Sequence, residues 1–151
     1  MSAVMDLSQN YSLYAIPIAW FFTFVTGSYA KTLSSGHYDI AYPRRYAEAV
    51  EKDEKLSKAT KDKIFRCEGA AANGRETLSL FAGAVLSANY AKVPVETINT
   101  LVAAYLASRV VYNIVYVHLQ ENRKFAPLRS LSWMFGIGVC ITLFVKAGSN
   151  L

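Results

Sequence analysis

The chain has 151 residues, of which 53% are apolar, and it carries a formal net charge of +5. This length favours one domain, covering residues 1–151. Most basic residues lie in two segments between apolar stretches, which is typical of charges that set membrane topology rather than of a nucleic-acid surface. The two cysteines lie on separate apolar segments and form no disulfide framework. The composition favours an all-α integral membrane protein and argues against a nucleic-acid partner.

Four apolar segments are long enough to cross a membrane. They cover about residues 7–30, 64–90, 95–119 and 126–146. A helix needs roughly 20 apolar residues to span a hydrocarbon core of about 30 Å, so each segment suffices. We therefore predict a bundle of four transmembrane helices that contacts membrane lipid.

The connections between these segments differ in length and charge. Segment 31–63 is polar, and its composition from Pro43 onward predicts a short, solvated surface helix. Basic residues are concentrated there and just before the fourth segment, while the opposite ends hold only Lys92 and Lys146. The positive-inside rule places both long loops in the cytoplasm and both termini on the far side. In a eukaryotic cell this predicts the endoplasmic reticulum or the nuclear envelope.

Polar side chains inside the apolar segments are candidates for function, because charges in a bilayer are costly and usually face a bundle interior or a cavity. Asn73 and Glu76 are three residues apart and share one helix face. They are suited to a ligand with an amino group, or to hydrogen bonds with a neighbouring helix. Arg109, Tyr112 and Tyr116 provide a carboxylate-binding guanidinium and neutral hydroxyl donors. The structural alternative for this group is a salt bridge between Arg109 and Glu76.

A third polar group, Arg129 and Ser130, begins the fourth segment. Arginine stays charged, so Arg129 can stabilise an anion. A ligand thiolate near it and near the positive end of the helix would have its pKa lowered. The structural alternative is an arginine that anchors the helix at the membrane surface. His37 and His118 lack partners at metal-ligand spacing, so no metal site is predicted.

Together these groups resemble the MAPEG family, the membrane-associated proteins in eicosanoid and glutathione metabolism. The resemblance covers nearly the whole chain. It rests on three motifs in register with the segments: Asn73-x-x-Glu76, Arg109-x-x-Tyr112-x-x-x-Tyr116, and Ala126-Pro127-Leu128-Arg129-Ser130. It implies a homotrimer of four-helix subunits, with active sites at subunit interfaces near the cytoplasmic face. It also implies bound glutathione and a lipophilic small-molecule substrate that approaches from the bilayer.

The resemblance also implies a role for each residue. Arg129 would be the catalytic residue that stabilises the thiolate, with Arg123 and Lys124 as alternatives from the leukotriene C synthase pattern. The cofactor-binding residues would be Asn73, Glu76 and Ser130, together with Arg109, Tyr112 and Tyr116 from the adjacent subunit.

The chain departs from the family at three positions. Gly69, Ala71 and Ala72 stand where glutathione-using members often carry basic or polar residues. Three hypotheses follow. The leading one is a glutathione-dependent transferase or isomerase that acts on a lipophilic electrophile. The second is a glutathione-independent isomerase or cyclase that acts on a lipophilic metabolite. The third is a non-catalytic lipid-binding scaffold.

Overall fold

The computed structural model describes residues 8–43 and 45–151. The predicted start of the first segment, Leu7, lies outside the described residues. The described chain is all-α and contains no strand. Its helices are α1 (Ser12–Leu33), α2 (Tyr46–Lys52), α3 (Lys58–Tyr90), α4 (Val95–Ile114) and α5 (Ala126–Asn150). A π-helical turn, Val115–Leu119, continues α4, and a 3-10 turn, Arg123–Phe125, precedes α5.

The helices overlap the four predicted segments, but α1 begins only at Ser12, α5 continues to Asn150, and the largest difference is at the start of α3. This helix begins at Lys58, six residues before the predicted segment, so the polar connection ends at Ser57. The Ser57 side chain caps the helix by accepting a hydrogen bond from the Thr60 N–H at 3.2 Å. Since α3 has 33 residues, it is about 50 Å long. Its first turns therefore extend beyond its apolar part.

Three helices of the described chain are long and apolar enough to cross a membrane: Ser12–Leu33, Val95–Leu119 and Arg123–Asn150. The fourth long helix, α3, is not among them, because Arg66, Glu68, Arg75 and Glu76 interrupt its apolar sequence. It nevertheless packs against α1, α4 and α5. The four long helices thus form one bundle, in which α3 supplies most of the charge.

Close helix contacts in this bundle depend on small residues. A Cβ at Gly74 would lie 2.5 Å from the Thr23 side chain of α1, and one at Gly136 would lie 2.9 Å from the Ser108 hydroxyl of α4. Glycine is therefore required where α1 meets α3 and where α5 meets α4.

The helix of the first loop is not the solvated connector that its composition predicts. Tyr46 is 5% exposed and Val50 is fully buried, and both belong to a cluster with Ile64 and Cys67 of α3. Burial of the Tyr46 phenol raises its pKa. The loop is held further by the His37 ring, whose Nε2 lies 2.7 Å from Asp53 Oδ2. Helix α2 is therefore docked on α3.

Candidate functional site

A single cleft gathers most of the predicted site residues. It has a volume of about 580 Å³ and lies between α3, the end of α4 with its π turn, and the start of α5. Its lining residues are Gly69, Ala72, Asn73, Glu76, Tyr112, Tyr116, Arg129, Ser130, Trp133 and Met134. Six of the seven predicted site residues are in this set, and we call the space the polar cleft.

One face of α3 forms a wall of the polar cleft. Ala72 and Asn73 follow Gly69 by three and four residues, and Glu76 follows them by four and three, which places all four on the same side of the helix. Glu76 is exposed, and Asn73 is half-buried. The carboxylate is therefore available to a ligand, whereas the amide is committed on one side to a neighbouring helix.

That neighbour is Arg109, which does not line the polar cleft. Its side chain is 4% exposed, and Nη2 donates a hydrogen bond of 2.9 Å to Asn73 Oδ1. The guanidinium also lies 4.4 Å from the centre of the Tyr112 ring. The alternative salt bridge to Glu76 is absent from the ion pairs of the described residues. Arg109 thus holds the Asn73 amide from behind the cleft.

The π-helical turn at the end of α4 carries Tyr116 into the polar cleft beside Tyr112. Their rings meet edge to face, with centres 5.7 Å apart at 74°. A Cβ on Gly69 would lie 2.7 Å from Tyr116 Oη, so a larger residue at 69 would displace this phenol. Such π-helical turns are frequent at functional sites. Within this one chain both tyrosines line the same cleft as Asn73 and Glu76.

The first turns of α5 close the opposite side of the polar cleft. The Arg129 guanidinium lies 4.7 Å from the centre of the Tyr116 ring, and Ser130 is exposed beside it. Arg123 and Lys124 lie on the preceding 3-10 turn, are exposed, and do not line the cleft. Of the three cations considered for a thiolate, Arg129 is the one at the cleft.

Two lining residues of α5 were not predicted from the sequence. Trp133 follows Arg129 by one helical turn, and Met134 follows Ser130 in the same way. The indole N–H of Trp133 is buried without a hydrogen-bond partner. Their i, i+4 spacing from the predicted pair is the signal that would have found them. They make the wall of α5 more apolar than that of α3.

The polar cleft contains one negative and one positive side chain, which lie on opposite walls. Glu76 contributes one carboxylate on α3, and Arg129 contributes one guanidinium on α5. Tyr112, Tyr116 and Ser130 add hydroxyl groups that can donate or accept. Such a cleft is suited to a zwitterionic ligand whose ammonium faces α3 and whose anionic part faces α5. No cluster of His, Cys, Asp and Glu with the arrangement of a metal site occurs among residues 8–43 and 45–151.

Comparison with known proteins identifies the chain at the level of a family. The family whose sequence profile matches is the MAPEG family, over residues 11–149. No curated protein and no solved structure matches the chain significantly.

Proposed function

We propose that this chain, which belongs to the MAPEG family, is a membrane-bound, glutathione-dependent transferase or isomerase that acts on a lipophilic electrophile. The family contains membrane-associated proteins of eicosanoid and glutathione metabolism, and three apolar helices of the chain suit an integral membrane protein. The observation that carries the proposal is the polar cleft, where six polar residues from three different helices converge.

The residues of the polar cleft fit glutathione in size and charge. A volume of about 580 Å³ is within the range of small-molecule sites. Glu76 and the Asn73 amide would receive the ammonium end of the tripeptide. The phenols of Tyr112 and Tyr116 would donate hydrogen bonds to a carboxylate and to backbone carbonyls, which leaves Arg129 for the thiol. In this arrangement Arg109 has a positioning role, because it reaches the ligand only through Asn73.

Arg129 and Ser130 are placed to act on an anion at the start of α5. Glutathione supplies a nucleophilic thiol. The guanidinium of Arg129 carries a permanent positive charge, and the Ser130 hydroxyl can donate a hydrogen bond. The first turn of α5 adds the partial positive charge of its free N–H groups. Together these groups favour an anionic atom at this wall over its protonated form.

A lipophilic substrate would reach the polar cleft across the outer face of α5. Leu131, Met134 and Phe135 are 61%, 60% and 56% exposed, and Met134 also lines the cleft. Apolar side chains with such exposure face hydrocarbon in a membrane protein. An electrophile dissolved in the bilayer would therefore meet the Arg129 wall without crossing water.

The assembly and location that accompany this function are also proposals. We propose a homotrimer in the endoplasmic reticulum or nuclear envelope, with both long loops in the cytoplasm. The exposed face of α3, which includes Ser79 and Leu80, supports assembly. Without a neighbouring subunit, the charged residues of α3 would face lipid. Chemical cross-linking in native membranes tests the trimer. Accessibility of single cysteines in the first loop tests the topology.

A second candidate function is a glutathione-independent isomerase or cyclase. The observation that favours it is the α3 wall, where Gly69 and Ala72 provide no charge for a second carboxylate of a ligand. Glu76 and the two phenols would then exchange protons with a lipophilic metabolite. Turnover in the absence of any thiol would support this candidate over the first, and strict thiol dependence would exclude it.

Isothermal calorimetry of the detergent-purified protein with glutathione tests the leading proposal. We expect saturable binding that is lost in Asn73→Ala and Glu76→Gln. The matched control is Glu96→Gln, because Glu96 is an exposed acid in the first turn of α4, at the other end of the bundle. This control should bind like the wild type. Absence of binding at millimolar glutathione would contradict the proposal and direct the search to lipophilic metabolites.

A further inference from the structure

The face of α3 that lines the polar cleft continues towards the first loop, beyond the cleft itself. Arg66 precedes Gly69 by three residues and Asn73 by seven, so the three positions lie on one face of the helix. Because α3 begins at the first loop, Arg66 stands one turn nearer the loop than Gly69. Arg66 is therefore a cation at the loop end of the polar cleft, just outside its lining residues.

The guanidinium of Arg66 is not satisfied within the subunit. Arg66 is half-buried, its Nε is buried without a hydrogen-bond partner, and it takes part in no ion pair of the described residues. A buried donor without a partner is costly, and a ligand that supplies the acceptor removes this cost. The neighbouring cation Lys63 differs, because its ammonium lies 5.2 Å from the Tyr29 ring of α1. Of these two cations, Lys63 is directed to α1 and Arg66 has no partner.

A second unsatisfied polar atom follows the end of α4. Asn73 of α3 meets Arg109 of α4. Nearer the first loop, Gly69 meets Tyr116, so the two helices run antiparallel. The next turn in this register brings Gln120 to the level of the unsatisfied guanidinium. The Gln120 side-chain oxygen, Oε1, is buried and has no hydrogen-bond partner. A donor and an acceptor thus lack partners at the same end of the polar cleft.

Glutathione carries more negative charge than the lining of the polar cleft can neutralise. Its thiolate form has two carboxylates, one thiolate and one ammonium, a net charge of −2. The lining offers Arg129 for the thiolate and Glu76 for the ammonium, and the phenols of Tyr112 and Tyr116 can serve the carboxylate beside that ammonium. The glycine carboxylate is left without a cation, since Gly69 provides none. A buried charge without a partner is costly, so a further cation would stabilise the bound tripeptide.

The distance between Arg66 and Glu76 suits the length of glutathione. These residues are ten apart, which is about 15 Å along the helix axis. An extended tripeptide spans roughly 11 Å, and the two long side chains can cover the remainder. The ammonium and the glycine carboxylate lie at opposite ends of glutathione, so each can meet one of these residues. The thiol between them then faces the Arg129 wall.

We propose that Arg66 binds the glycine carboxylate of glutathione and that Gln120 accepts a hydrogen bond from the glycine N–H. This inference rests on the proposed function, since it requires the tripeptide in the polar cleft. The flexible Arg66 side chain turns towards the cleft, and the carboxylate accepts the hydrogen bonds that the guanidinium lacks within the subunit. Arg66 thus supplies, one turn nearer the first loop, the cation that is missing at Gly69.

Calorimetry of the detergent-purified full chain with two ligands tests this contact. The ligands are glutathione and its glycine monoethyl ester, which keeps the ammonium, the thiol and the glycine N–H but has no charge at the glycine. The wild type should bind glutathione about tenfold more tightly than the ester, the effect of one charge-assisted hydrogen bond. Arg66→Gln should weaken glutathione binding about tenfold and leave ester binding unchanged, so that the preference disappears.

Two further variants complete the comparison. Lys63→Gln is the matched control and should keep the preference, because Lys63 is a cation of the same turns of α3 that is directed to Tyr29. Gln120→Ala should weaken both ligands roughly fivefold and leave the preference unchanged, since both ligands retain the glycine N–H. Thermal unfolding of each variant in detergent identifies any that is misfolded. Arg66→Lys, which keeps the charge, should retain part of the preference.

The outcomes that overturn the inference differ from those that overturn the proposed function. Equal affinity of the wild type for glutathione and the ester would overturn the inference alone, and this comparison requires no variant to fold. A preference that persists in Arg66→Gln would also overturn it, because another cation would then bind the carboxylate. If Arg66 and Gln120 only bond to each other, Arg66→Gln would lower the unfolding temperature and leave the preference intact. Failure of the wild type to bind either ligand would overturn both proposals.

Discussion

The hydroxyl of Tyr116 occupies the space in which residue 69 would otherwise carry a side chain. A Cβ at Gly69 would approach Tyr116 Oη to 2.7 Å, well inside ordinary contact distance. The phenol is held there by the Tyr112 ring and by the Arg129 guanidinium. The absence of a basic side chain at 69 and the position of Tyr116 are thus one structural feature. In this chain a phenol fills the space beside residue 69.

The first prediction concerns this contact. Gly69→Ala should displace Tyr116 and lower the free energy of unfolding by about 1–3 kcal/mol, as overpacking does. Thermal unfolding in detergent measures the change. In the double variant Gly69→Ala with Tyr116→Phe the nearest ring atom is Cζ, 3.2 Å from the new methyl, so part of the loss should be recovered. A single variant as stable as the wild type would contradict the proposed contact.

The second prediction separates stability from binding at the α3 wall. Asn73→Ala removes the acceptor of Arg109 and leaves a buried charge unpaired, so it should cost about 1–3 kcal/mol of folding free energy or more. Glu76→Gln should leave stability nearly unchanged, because Glu76 is exposed. Chemical denaturation measures both. Asn73→Asp is the matched control, since it preserves an acceptor for the guanidinium. Equal stability of Asn73→Ala and Asn73→Asp would argue against the Arg109 contact.

The long helices could be predicted because the length of each apolar segment can be read directly from the sequence. The third segment, 95–119, agrees with α4 and its π turn to the residue. The start of α3 was missed because its first turns are solvated and have no apolar period. The capping serine at 57, followed by Thr60, was the available signal. Burial of Tyr46 was missed for a related reason, since a charged segment with one aromatic residue resembles a solvated helix.

The sequence predicted which side chains gather in the polar cleft better than it predicted the contacts between them. Spacing places Asn73 and Glu76 on one face, but it does not decide which of them Arg109 meets. The structure selects Asn73, because Arg109 approaches from the buried side of α3. The approach of Tyr116 to Gly69 depends on a π turn, and no local residue pattern distinguishes such a turn from continued α-helix. Which side chains of two helices meet therefore depends on tertiary packing, which the spacing of residues along one helix does not determine.

The third prediction concerns the role of Arg129. If its guanidinium stabilises a thiolate, Arg129→Ala should lower glutathione-dependent turnover about 10- to 100-fold near neutral pH, as loss of one electrostatic group does. The pH–rate profile should also shift to higher pH, because the thiol is then deprotonated less readily. Arg123→Ala and Lys124→Ala are the matched controls, since both residues are exposed cations outside the polar cleft. A rate loss without a change in the pH profile would assign Arg129 to binding alone.

The fourth prediction concerns the first loop, where His37 Nε2 lies 2.7 Å from Asp53 Oδ2. The hydrogen bond from His37 lowers the pKa of Asp53 below its usual value. Because the folded pKa is lowered, the contact stabilises the loop above the unfolded pKa of about 3.9 and this stability is lost as pH falls through the lower folded value. Asp53→Asn should therefore expose the loop to protease more at pH 7 than in the wild type. The difference should disappear in the acid range, where Asp53 is protonated.

Limited proteolysis at several pH values, read by mass spectrometry of the 31–57 fragments, measures this effect. Glu48→Gln is the matched control, because Glu48 is bonded to Lys52 on the exposed side of α2, with 71% of its side chain accessible. Exposed ion pairs of this kind contribute little to stability, so the control should be cleaved like the wild type at every pH. If Asp53→Asn and Glu48→Gln were cleaved equally at pH 7, the His37 contact would have no part in holding the loop. Selective cleavage of Asp53→Asn would instead show that this pair helps to hold α2, and with it the buried Tyr46, against α3.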